Sequence, residues 1–203
     1  MIPYLIYLSI ISTASLFIGG STALIFKVSF FASFGYTWLA ILAVVIVDAL
    51  TATLCRLLPG KCANTEKKVF NVSSKEKKFY EKLKIRKWKD LVPEIGQFTG
   101  FRKNQIVDPK SVEYLDRFLS EICYGEIGHV VSVFTGFLIL CLFPSTGFWI
   151  SIALSVAVVN ALMNLPSLFI LRYNSYKLKI LRKNALKKQM QRDMLAEVAT
   201  ADA

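Results

Sequence analysis

Histidine is almost absent from this chain: His129 stands alone among 203 residues. Cysteine is scarce as well, and Cys55, Cys62, Cys123 and Cys141 fall at no metal-ligand spacing. A zinc site would have to be built almost wholly from thiolates, so no metal site is expected. Charge is thin, at 19% of residues against about 25% in ordinary soluble domains. No glycine-rich phosphate loop, serine nucleophile elbow or paired-carboxylate glycosidase pattern occurs. The HxxxxD pattern of many glycerolipid acyltransferases is missing too, because Phe134 stands five residues after His129. No cofactor is expected.

What the chain does have is apolar length. Residues 1–26 hold no charged side chain, and from Val28 to Cys55 only Asp48 interrupts an apolar run. Each run exceeds the roughly 20 residues that cross about 30 Å of hydrocarbon. The first lacks a basic start and a second span follows at once, so it is expected to be a span and not a signal peptide. A polar stretch follows, and then His129–Phe143 and Phe148–Leu171 are apolar again, split by Pro144-Ser145-Thr146-Gly147. The pattern predicts an all-α, polytopic membrane protein with four transmembrane helices forming one membrane domain. A transmembrane hairpin is expected at 1–56 (spans 3–26 and 30–55) and a second pair at 125–172 (spans 125–143 and 148–171). Between them lies a loop at 57–124 with interfacial helices near 74–90 and 109–128. A basic helical tail occupies 173–203.

Net charge is +11, and its placement sets the orientation. From Arg56 to Arg117 there are 16 Lys and Arg and from Arg172 to Arg192 another 8, while the tight turns hold only Lys27. Basic segments stay inside, so loop, tail and both termini are expected in the cytoplasm of a cell-membrane protein. In a membrane protein such an excess points to anionic lipid headgroups and not to nucleic acid. Disulfides are not expected on that side, and Cys141 looks like a small buried apolar residue.

Within the loop, Ser73-Ser74-Lys75-Glu76 has capping-box spacing, and Phe79, Tyr80, Leu83 and Lys87 follow on one face. A single helix over 74–89 is predicted to lie flat on the bilayer, with Phe79, Leu83 and Trp88 as anchors. The same composition also suits a solvated charged helix. A second helix is expected from Asp108-Pro109, with an apolar stripe at Val112, Leu115, Phe118, Leu119 and Ile122. That stripe continues to Glu126 and His129, with Gly125 and Gly128 leaving room for another helix or a substrate.

Ionisable groups at membrane depth are costly and usually have a job. Glu126 and His129, three apart, suit a general base oriented by a carboxylate, or simply a wet helix entrance. Asn164, two before Pro166, could satisfy the break that proline makes, or orient a substrate. Arg172 at the helix exit suits a topology anchor or a phosphate contact. Asp48 is a lone acid explained by snorkelling or by pairing with an arginine.

Three blocks taken together resemble a known family. They are Ile85-Arg86-Lys87-Trp88-Lys89, Glu126-Ile127-Gly128-His129, and Asn164-Leu165-Pro166 with Arg172-Tyr173-Asn174. In order and spacing they are similar to the glycosyl-4,4′-diaponeurosporenoate acyltransferases, small bacterial membrane proteins. The similarity covers about residues 80–180; the hairpin at 1–55 departs from it, since members carry fewer apolar residues there. The resemblance implies transfer of a fatty acyl group to a sugar hydroxyl of a membrane glycolipid, a carotenoid glycoside or another. His129 would be the base, Glu126 its orienter, and Asn164 a support for the acyl carbonyl. Arg86, Lys87, Trp88, Lys89, Arg172, Tyr173 and Asn174 would bind substrate. Implied partners are membrane lipids, a glycolipid acceptor and an acyl donor (acyl-CoA, acyl carrier protein or lipid). A non-enzymatic protein that binds anionic lipid or a membrane partner through its loop is the other reading of the same residues.

Overall fold

A computed structural model describes residues 2–93 and 106–201. Residues 94–105 of the expected basic loop lie outside the described residues, as do Met1 and the last two residues of the tail. Among the described residues six α-helices run in order: α1 (Ile2–Phe26), α2 (Phe30–Arg56), α3 (Ser74–Lys82), α4 (Ile85–Trp88), α5 (Val112–Thr135) and α6 (Gly147–Ala201). No strand occurs among the described residues. Four helices are long and apolar enough to cross a membrane, and the chain is an all-α membrane protein.

α1 and α2 form the expected hairpin. Lys27 turns it with a left-handed φ of 52°, and the Val28 N–H closes back onto the Ala23 carbonyl at 3.1 Å. That six-to-one bond is a Schellman ending, which satisfies an orphan carbonyl at the helix terminus. Both helices bury small residues, Ser15, Gly19 and Thr22 on α1 and Ser33, Thr37 and Ala40 on α2. A Cβ at Gly19 would lie 3.1 Å from the Phe34 Cα, so the glycine permits this approach. Near the turns, Trp149 is fully buried among Ile139, Ile152 and Val156 and donates its indole N–H to the Ile139 carbonyl.

The chain departs from expectation in three places, two of them in the loop. The helix predicted over 74–89 is broken: Ser73 caps α3 by accepting from the Glu76 N–H, but the helix stops at Lys82. Lys84 then takes a left-handed φ of 54°, and α4 restarts in a new direction. The break changes which side chains are buried. Tyr80 and Ile85 face inward at 4% and 0% exposure, while Phe79 and Leu83 keep 49% and 38%. The second loop helix does not start at Asp108. Asp108 Oδ1 accepts from the N–H groups of Lys110 and Ser111, forming a turn, and Ser111 caps α5 by accepting from Tyr114. Cys141, expected to be buried, is exposed on the 3₁₀ turn Gly136–Leu142 that extends α5.

α5 and α6 are antiparallel partners along most of their length. Leu115, Phe118, Leu119 and Ile122, the predicted stripe, are buried against Leu178 and Ala185. α6 runs 55 residues without a break, about 80 Å at 1.5 Å per residue, and so extends well past about 30 Å of hydrocarbon. Fourth span and tail are one continuous helix, and Pro166 sits inside it.

Candidate functional site

The four long helices line a half-open cavity of about 700 Å³. Its walls are mostly aliphatic, with Ile11, Ala14 and Ile18 from α1, Val44 from α2 and Val156 from α6. At the loop end Val92 and Pro93 contribute, as do Arg56 and Glu121, which form an ion pair at 3.3 Å. The volume lies within the roughly 300–1,000 Å³ of sites that bury most of a small ligand.

Polar groups converge on one level of this cavity. His129 Nδ1 lies 2.8 Å from Asn164 Oδ1. Asn164 Nδ2 lies 3.1 Å from the Asn160 carbonyl and 3.3 Å from Asp48 Oδ2. Asn160 Nδ2 approaches Asp48 Oδ1 at 3.4 Å. Helical spacing explains the assembly: Asn160 and Asn164 are four residues apart on α6 and share a face. The chemistry fixes the proton. Asn164 Nδ2 points at groups that only accept, so its Oδ1 faces the imidazole and must accept from Nδ1. Nε2 is then left with a lone pair, and His129 lines the cavity. An imidazole in that tautomer can take a proton from a hydroxyl brought to it.

The expected pairing of Glu126 with His129 is not what the helices form. Glu126 Oε2 instead accepts from Arg172 Nη1 at 2.9 Å. The Arg172 guanidinium also binds the Glu76 carboxylate through Nε and Nη2, and the Val69 carbonyl at 3.0 Å. Tyr80 adds its hydroxyl to Glu76 Oε1 at 2.5 Å. The hydrogen bond from Arg172 holds the Glu76 carboxyl below its ordinary range, while burial and the Glu76 contact push Tyr80 up. This cluster clamps α3 to α5 and α6. Asn164 likewise does not mend the Pro166 break as one expectation had it, since its amide goes to Asn160 and Asp48.

Other predicted site residues fall around the loop end of the cavity. Asn174 lines it. Tyr173 is buried, with Lys177 Nζ 4.3 Å above its ring. Trp88 donates its indole N–H to the Leu83 carbonyl and packs beside Ile85 and Val92, while Arg86 and Lys87 point outward and Lys89 is half-buried. Gly125 admits α6, since a Cβ there would lie 2.9 Å from Leu171 Cδ1; Gly128 instead opens onto the cavity. Sequence reasoning left Asp48 without a role and missed Asn160 and Glu76. A signal for Asn160 existed, as a polar side chain one helical turn before Asn164 in an apolar span.

Residues 65–184 match the family described as glycosyl-4,4′-diaponeurosporenoate acyltransferase. No curated protein and no solved structure matches the chain.

Proposed function

The chain belongs to the glycosyl-4,4′-diaponeurosporenoate acyltransferase family, and on that premise we propose that it moves a fatty acyl group from a thioester donor to a sugar hydroxyl of a membrane glycolipid. One observation carries the reading: the only histidine of the chain lines a cavity among the spans, held through Nδ1 so that Nε2 can accept a proton. The sugar O–H gives its proton to Nε2 as its oxygen attacks the thioester carbonyl, forming the C–O bond. The tetrahedral intermediate then collapses, the C–S bond breaks, and the imidazolium returns the proton to the thiolate. Aliphatic walls at Ile11, Ala14, Ile18, Val44 and Val156 suit the acyl chain. Donor phosphates, from coenzyme A or an acyl carrier protein, are received by Arg86, Lys87 and Lys89 at the loop end. Arg172 is better used as a clamp, because both of its faces are already occupied by carboxylates.

The assay uses membranes containing the protein, isotope-labelled palmitoyl-CoA or palmitoyl-carrier protein, and either glycosyl-4,4′-diaponeurosporenoate or a glucosyl diacylglycerol. Mass spectrometry should find a labelled sugar ester with at least one acceptor. Absence of ester with every donor and acceptor pair would remove the reading.

The same reading places the loop end in the cytoplasm, since 24 of the 25 Lys and Arg lie between Arg56 and Arg117 or between Arg172 and Arg192. In a cysteine-free background, exposed Lys27→Cys should react with an impermeant maleimide on intact cells. Exposed Lys68→Cys and Met190→Cys should react only after lysis. The reverse pattern would invert the orientation.

A further inference from the structure

We infer that Asp48, on the amino-terminal hairpin, is a positioning residue of the transfer site that acts on His129 through Asn164. The inference rests on His129 being the base. It also gives the hairpin a part in the reaction, although the family match begins only at residue 65.

A carboxylate within a span is expensive unless something compensates it. Pairing with a cation is the ordinary solution, and Asp48 does not use it: among the described residues its polar partners are the amides of Asn160 and Asn164. The nearest basic residue along α2, Arg56, is held by Glu121 at 3.3 Å. Asp48 is therefore tied to the asparagine pair and to nothing that merely neutralises it.

The effect of that tie is directional. An amide can present either its oxygen or its nitrogen to the imidazole. Turned around, Asn164 would set its oxygen against the Asp48 carboxylate and the Asn160 carbonyl, all of them acceptors. Asp48 and the Asn160 carbonyl together disfavour the orientation that would place an N–H against Nδ1 and force the histidine proton onto Nε2. The neighbouring Asn160 packs closely as well: a Cβ on Gly136 would lie 2.7 Å from its Nδ2, so any side chain at position 136 would push the Asn160 amide aside. Three elements contribute one group each, Asp48 from α2, His129 from α5 and Asn164 from α6.

The test measures kcat and KM for Asp48→Ala, Asp48→Asn, Asn164→Ala and the Asp48→Ala/Asn164→Ala double variant, beside His129→Ala. Asp48→Ala should lower kcat on the order of 10–100-fold, as loss of an outer partner of a functional histidine does, with KM for both substrates near wild type. Asp48→Asn keeps an acceptor for Asn164 and should recover part of the loss, which a role in charge placement alone would not permit. Because Asp48 acts through Asn164, the double variant should be no slower than Asn164→Ala. Additive losses, or a raised KM at unchanged kcat, overturn the inference. So does full kcat in Asp48→Ala when His129→Ala is inactive. If His129→Ala is itself active, the reading of the base fails first, and the positioning role with it.

Discussion

Replacing His129 by alanine should reduce acyl transfer by about 10²–10⁴-fold, the contribution of a base acting in the transition state. Expression and membrane insertion should be unchanged. The substitution removes an imidazole from a cavity wall and leaves Asn164 its bonds to Asn160 and Asp48, so little of the helix packing depends on it. The loss should appear in kcat, since the imidazole contributes to the proton transfer and only weakly to holding either substrate. Glu126→Gln serves as the contrast. Glu126 belongs to the Arg172 clamp and not to the imidazole, so this change should weaken the fold while sparing proton transfer. Initial rates of labelled ester formation, normalised to protein in the membrane, decide the matter. Wild-type rates in His129→Ala would end the assignment.

Arg172→Met should be the most destabilising single substitution at the loop end. Glu126 is 3% exposed and its Oε1 has no hydrogen-bond partner among the described residues, so Arg172 is its main compensation. Removing the guanidinium leaves that carboxylate buried beside Glu76, a loss on the order of 3–5 kcal/mol for a broken buried pair. Arg172→Lys should rescue poorly, because one ammonium cannot span two carboxylates and the Val69 carbonyl. Adding Glu126→Gln to Arg172→Met should restore part of the thermal stability, since it removes the uncompensated charge. The measurement is the melting temperature of detergent-solubilised protein followed by size exclusion, together with KM for the thioester donor. An unchanged melting temperature with a raised donor KM would return Arg172 to phosphate binding.

Both results turn on a pairing that spacing alone placed elsewhere. Glu126 and His129 are neighbours on α5, and adjacency suggested that one served the other. α6 runs antiparallel beside them, so a step of three residues on α5 reaches different partners on α6. His129 meets Asn164, and Glu126 meets the stronger electrostatic partner, Arg172. The break between α3 and α4 was equally hidden. Lys84 carries no turn signature, and its left-handed backbone follows from docking Tyr80 and Ile85 together against Phe169 and Ile170. At Asp108 the expected start gave way to Ser111, which caps the helix because Asp108 is used in the turn before it.

Four apolar runs, the Ser73 cap, the α5 stripe and the two basic segments were determined by sequence alone. Each is a local property: length against bilayer thickness, spacing against the helical repeat, and charge counted along the chain. The cavity, the Arg172 clamp and the meeting of Asp48, His129 and Asn164 were decided only by tertiary structure. Asp48 and Asn164 stand 116 residues apart, and no local rule relates them. Their contact depends on which face of each span turns inward, and small residues at the helix crossings, such as Gly19 against the Phe34 backbone, set that choice by how closely backbones can approach.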